Sequence, residues 1–222
     1  MGAIAAVGLV CAATAIAAAD DAADLDAIVK AAPHCDPARA HCFALRLHVA
    51  RTEDGGAVVE PAWIAAQIAM ANHHFEPIET SFQVAGVDFL PADAARVEDR
   101  AERSAFASRT GGTVIDVFFT GYLADVDKPG AFIRGVTWHI GEERRLIILS
   151  AVAPERTLAH ELGHFFGLPH SKYAISIMNK TPRDEPPPEE RRFSDEEIVK
   201  LKAQLPRLVR AKLIAPVAPI AD

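Results

Sequence analysis

The sequence predicts an α+β fold, on three observations. Segments with strand periodicity alternate with helical ones, a helix over 155–166 is stopped by its own glycine and proline, and a capping box opens one more helix near the C-terminus. With 222 residues, 50% of them apolar, the chain can bury the core that such a fold needs and is not a disordered one. Its formal net charge of −7 argues against a nucleic-acid binder, which would present a basic face.

The elements follow in order. Residues 2–19 form an uncharged apolar run closing on Ala17-Ala18-Ala19 before Asp20 and Asp21, the pattern of a secretory signal with an A-x-A cleavage site over 1–19. No Lys or Arg precedes the run, so either the positive n-region is missing or the true start lies upstream; an uncleaved anchor is the alternative. Cys11 raises a lipidation site, although bulky Val10 stands where a small residue is wanted. Residues 20–42 read as a loosely structured leader or propeptide. It holds Cys35 and Cys42, which in a secreted chain pair as a disulfide around a short loop.

Phe43, Leu45, Leu47 and Val49 then alternate with Ala44, Arg46, His48 and Ala50, the period of a half-buried strand. Pro61 is placed to open a helix, and Ile64, Ile68, Ala71 and Phe75 lie along one face of it. A short strand is expected over 80–84 and a helix over 93–109. The β-branched and aromatic segment 113–120 reads as a strand, 121–134 as a loop, and 135–140 and 146–152 as two more strands. The run Leu146 to Leu149 suits a strand covered on both faces. The helix over 155–166 ends at Gly167 and Pro169. A proline-rich, charged connection spans 181–193, and Ser194 with Glu197 forms a capping box for a last helix over 195–205, followed by a tail to 222.

The chemistry is concentrated in His160-Glu161-Leu162-Gly163-His164-Phe165-Phe166-Gly167-Leu168-Pro169-His170. Residues four apart share a helix face, so His160 and His164 can aim two imidazoles at one point. A catalytic zinc takes three protein ligands and keeps one position for water. Gly167 can adopt the positive φ that reverses the chain, and His170 then returns beneath the same point. Glu161 is out of ligand register with the histidines. It can take a proton from a water acidified by the metal and pass it to a leaving amine.

The segment from His160 to His170 resembles the extended zinc signature of the metzincin metalloproteases. Ile177-Met178-Asn179 is similar to that family's methionine turn, and Ser171 and the short spacing to Met178 look most like the matrixin or pappalysin-like branches. The resemblance implies a twisted mixed five-stranded sheet, an active-site helix and a small C-terminal subdomain. It implies that residues 43–180 form a zinc metallopeptidase domain and that Met178 is an apolar floor under the imidazoles and not a ligand. By the same analogy, 135–140 is the antiparallel edge strand that receives an extended substrate. Lys180 stands where some metzincins carry a tyrosine, so no such contact is expected.

The expectation is therefore a secreted, periplasmic or extracellular zinc endopeptidase acting on proteins or peptides, with no nucleic-acid partner and no stable membrane association once the signal is removed. The rivals are a zinc-holding pseudo-protease that binds peptides or a partner without cleaving, and a zinc hydrolase of another amide. Asp125 and Asp127 could contribute to a calcium loop, but two carboxylates do not define one. Pro33-His34-Cys35-Asp36-Pro37 loosely resembles a matrixin cysteine switch, in which a thiolate blocks the zinc; the disulfide to Cys42 is the favoured alternative. His139 on the edge strand could touch substrate.

Overall fold

The computed structural model describes residues 23–141 and 144–220; the expected signal segment and Cys11 lie outside them. A five-stranded sheet organises the chain. Its strands are β1 (His41–Ala50), β2 (Thr80–Leu90), β4 (Ile115–Thr120), β6 (Gly135–Ile140) and β7 (Arg144–Ser150), in the order β2-β1-β4-β7-β6. The first three pairings are parallel and β6 runs antiparallel to β7 at the edge. Two short strands, β3 (Arg96–Val97) and β5 (Tyr122–Leu123), pair beside it. The helices are α1 (23–31), α2 (Pro61–Phe75), α3 (Arg100–Ala105), α4 (Thr157–Phe165) and α5 (Asp195–Arg210).

Parallel β1 and β2 need a crossover, and α2 supplies it. Pro61 starts this helix, and the expected stripe of Ile64, Ile68, Ala71 and Phe75 is fully buried against the sheet. The main core lies on that face, where Phe43, Phe75, Phe82, Phe166 and Phe193 meet, several of them edge to face. α4 and α5 pack onto the same core through Leu158, Leu162, Leu201 and Leu205.

Several segments differ from the sequence expectation. The supposed loose leader is helical over 23–31 and places Ile28 in the core. Cys35 and Cys42 are joined in a disulfide, and β1 begins before Cys42. With its sulfur in that bond, Cys35 is not a thiolate that could block a metal. β1 is buried on both faces, because a second cluster containing Leu90, Phe106, Phe118 and Ile148 covers the far side. There His48 stacks on Phe118 and bonds Asp88 and Asp116. The helix expected over 93–109 is broken. Val97 pairs with Leu123 in the small sheet, and the Asp99 side chain caps a new start at α3 by accepting from the Glu102 amide.

β2 continues past 84 to Leu90 by way of a bulge opposite Leu45 and Arg46. Helix α5 runs on through Pro206, since Leu205 and Leu208 are still buried beneath it. The C-terminal segment returns to β1, with the Val217 amide donating to the Cys42 carbonyl. No helix among the described residues is long and apolar enough to cross a membrane.

One buried side chain sets where α4 begins. Gln67 of α2 is fully buried; its amide donates to the Pro154 carbonyl at 2.9 Å, and its carbonyl accepts the Leu158 amide at 2.9 Å. The first turn of a helix has amides without partners of its own, and Gln67 satisfies one of them. Gln67→Leu is expected to lower the unfolding free energy by about 1–3 kcal/mol, since it leaves that amide unpaired. A urea titration reads this as a lower midpoint at the same slope; an unmoved midpoint would remove the tie from the account.

Candidate active site

The two helical histidines are oriented by main-chain carbonyls. His160 Nδ1 lies 2.7 Å from the Ile177 oxygen, and His164 Nδ1 lies 2.7 Å from the Leu168 oxygen. A carbonyl only accepts, so each Nδ1 carries the proton and each Nε2 presents a lone pair. The two Nε2 atoms are 3.1 Å apart. Two lone pairs at that distance repel unless a cation or proton lies between them. His170 completes the group, and one ring nitrogen from each of the three lies within 4.8 Å of the others.

This donor set fits zinc. Tetrahedral bonds of 2.0–2.1 Å place neighbouring nitrogens about 3.3 Å apart. Burial also keeps the imidazoles neutral, as ligands must be. It pushes His160 down to about 4 and lowers His164 and His170. No other group of three metal-binding side chains occurs among the described residues.

The turn that brings His170 back is built on Gly167, whose φ is +91°. The Gly167 amide donates to the His164 carbonyl and the Leu168 amide to the Gly163 carbonyl, the paired bonds of a Schellman motif. Leu168 then turns its own carbonyl to His164. One local motif therefore ends the helix, reverses the chain and orients the second imidazole.

Met178 is fully buried against Gly163 of α4. A Cβ at 163 would collide with the Met178 sulfur and come within 3.0 Å of its methyl carbon. The turn that holds Met178 is tied at both ends. The Ser171 amide donates to the Met178 carbonyl, while the Met178 amide donates to Ser176 Oγ. That hydroxyl bonds the buried Glu197 carboxylate, which also accepts the Ser194 amide in the capping box of α5.

Glu161 is 4% exposed, and burial raises its carboxyl to about 7 against the opposing pull of Thr137. The Thr137 hydroxyl lies 2.7 Å from the Glu161 main-chain oxygen and 3.0 Å from Oε2. The Thr137 backbone also hydrogen-bonds the Glu161 carboxylate. Gly135 permits this close approach of β6 to α4, because a Cβ there would stand 2.8–3.0 Å from Leu149, Thr157 and Glu161. The cleft of about 1020 Å3 is lined by the three histidines, Glu161 and the edge strand. His139, Lys180 and Asp127 stand exposed at its rim, and Asp125 is half-buried there. Asp127 pairs with Arg100 at 2.5 Å, and among the described residues no third carboxylate joins the two acids.

The structure thus brings together His160, Glu161, His164 and His170, with Gly167 at the reversal and Met178 beneath the helix. Thr137, Gly135, Gln67 and Gly163 are additions. Only Gly163 left a trace in the sequence, as a residue that costs about 1 kcal/mol in a helix interior and so wants a packing reason there.

No protein-family model and no curated protein matches the sequence. The fold has solved counterparts. It is similar to the archaemetzincin of Methanopyrus kandleri, at TM-score 0.51 and 18% identity, over 76% of this chain and 98% of that one. It is also similar to metalloproteinase-II of Bacteroides fragilis, at TM-score 0.55 and 12% identity, over 80% of this chain and 60% of that one. At these identities the likeness is one of fold.

Gly163→Ala separates a packing role from propensity. Alanine favours an exposed helix, whereas overpacking against Met178 should cost about 1–3 kcal/mol. Thermal denaturation is expected to show a lower midpoint, and a raised midpoint would mean that Met178 does not press on the helix.

Proposed function

We propose that this chain is a zinc endopeptidase of secreted or extracytoplasmic location, with His160, His164 and His170 as metal ligands and Glu161 as general base and acid. The observation that carries the reading is the convergence of three imidazoles beside a buried carboxylate in one cleft. The fold likeness to an archaemetzincin and a metalloproteinase supports it. The disulfide and the signal-like N-terminus support the location. The eight residues from His170 to Met178, with Ser171, favour the matrixin or pappalysin-like branches.

When bound, zinc supplies Lewis acidity for the scissile carbonyl and acidifies a water. The protein's residues do the rest. Strand β6 offers an unpaired edge to which an extended peptide can add by main-chain hydrogen bonds. Thr137 positions the Glu161 carboxylate beside the histidines, where it serves as the proton acceptor. A base poised near neutrality suits that task, and a cation nearby favours its ionised form. Glu161 takes the proton of the attacking water as the new C–O bond forms. It delivers that proton to the amide nitrogen as the C–N bond breaks.

Glu161→Ala is expected to bind one zinc per chain as the unaltered protein does and to lose roughly 100-fold or more in kcat on a peptide library. Near-normal turnover in the zinc-loaded variant would refute the assigned role. Zinc binding by the unaltered protein with no cleavage of any peptide would favour a binding module instead.

A further inference from the structure

Beside the histidines and opening onto His160 and Glu161 lies a second cavity of about 720 Å3. Its walls come from the start of β6, the first turn of α4 and the segment that follows Met178. Arg134, Arg156, Lys180, Arg183 and Arg191 line it, against the carboxylates of Glu161 and Asp184. In a chain of net charge −7 this concentration of cations runs against the overall balance.

The arginines divide into two kinds. Arg183 donates to the carbonyls of Ala174, Ser176, Asn179 and Thr181, and Arg191 to those of Arg183 and Pro186, so both build the wall. Arg134 and Arg156 have no ion pair or hydrogen-bond acceptor for their guanidinium groups among the described residues. Arg156 is half-buried and stands at the N-cap position of α4 without capping it, where the helix dipole disfavours a cation. Burial lowers its pKa, and Arg191, Arg134 and Arg183 lower it further. Clustered guanidiniums without a counter-ion are costly for the protein alone and are relieved by an anion that two forks can grip.

The direction along the cleft is set by taking a peptide to add to β6 in the antiparallel sense, as β7 does on the other side. A peptide pairing antiparallel to β6 runs from the Ile140 end toward the Gly135 end. Its residues after the scissile bond therefore fall beside Arg134 and this cavity. We propose that the cavity is a specificity pocket for a carboxylate immediately C-terminal to the scissile bond, held by Arg156 and Arg134. The inference rests on the peptidase reading and adds a substrate class to it. The carboxylate can belong to an acidic side chain or to the peptide's own C-terminus.

The test uses the zinc-loaded full chain and quenched peptides that carry Glu, Gln or Leu after the cleaved bond. A second set ends at that residue, with a free or an amidated terminus. The expected result is a preference of roughly 10- to 100-fold in kcat/KM for the peptide bearing the carboxylate, in one set or the other, which names its source. Arg156→Gln should reduce the preference to within about 3-fold while the Gln or amidated peptide is cleaved at a similar rate. Arg134→Gln, on an exposed side chain, should weaken it without touching the fold, and Arg156→Lys should restore it in part. Equal cleavage with and without the carboxylate overturns the pocket and leaves the peptidase standing. If no peptide is cleaved, fluorescence anisotropy of the same peptides decides. Arg156-dependent tighter binding of the carboxylate form sustains the pocket while the peptidase reading falls, and equal binding overturns both.

Discussion

Two imidazole lone pairs held 3.1 Å apart are the constraint around which this molecule is arranged. Left alone they repel, and the protein prevents them from turning away. The carbonyls of Ile177 and Leu168 fix the opposite nitrogen of each ring as a donor. Carbonyl partners of this kind orient metal-binding histidines and raise their basicity. Burial then suppresses protonation, which would otherwise quench the repulsion without a metal. The cost of this arrangement is met by the surrounding fold, and a divalent cation relieves it.

The supports reach the site from several directions. Gln67 of α2 fixes the first turn of α4, and the Schellman turn at Gly167 fixes its last. Met178 fills the space that Gly163 leaves, and its turn is bonded through Ser176 to the capping-box glutamate of α5. The last helix, distant in sequence, is thereby coupled to the turn that holds Met178 against α4. On the open side, β6 crosses α4 closely enough for Thr137 to grip Glu161, and Gly135 is the residue that permits the crossing.

Much of this was legible in the residues, for physical reasons. The i, i+4 spacing of His160 and His164, the glycine at the helix end and the capping box at Ser194 are local rules, and local rules survive into the fold. The buried stripe of α2 followed from periodicity, and the edge position of the strand at 135–140 from the family resemblance. What failed depended on partners distant in sequence. The alternation in β1 suggested one solvent face, but the second cluster built on Phe106 and Phe118 covers it. The charged segment 93–109 satisfied a helical pattern, yet Asp99 restarts the helix and Val97 is drawn into a strand by Leu123. Within the expected loose leader, 23–31 proved to be helical, and Ile28 has a place in the core. Thr137 and Gln67 carry no motif; their roles exist only once β6 and α2 are folded against α4.

The arginine-lined cavity sets a positive wall next to the three histidines in an otherwise acidic chain. All of it presupposes a metal at the three histidines. The most direct measurement is zinc content together with X-ray absorption at the zinc edge on the full chain. The account predicts one zinc per chain, coordinated by three imidazole nitrogens with oxygen in the remaining position, and loss of that metal in His164→Ala. Reconstituted, folded protein that holds no zinc, or holds it equally well without His164, would contradict the account.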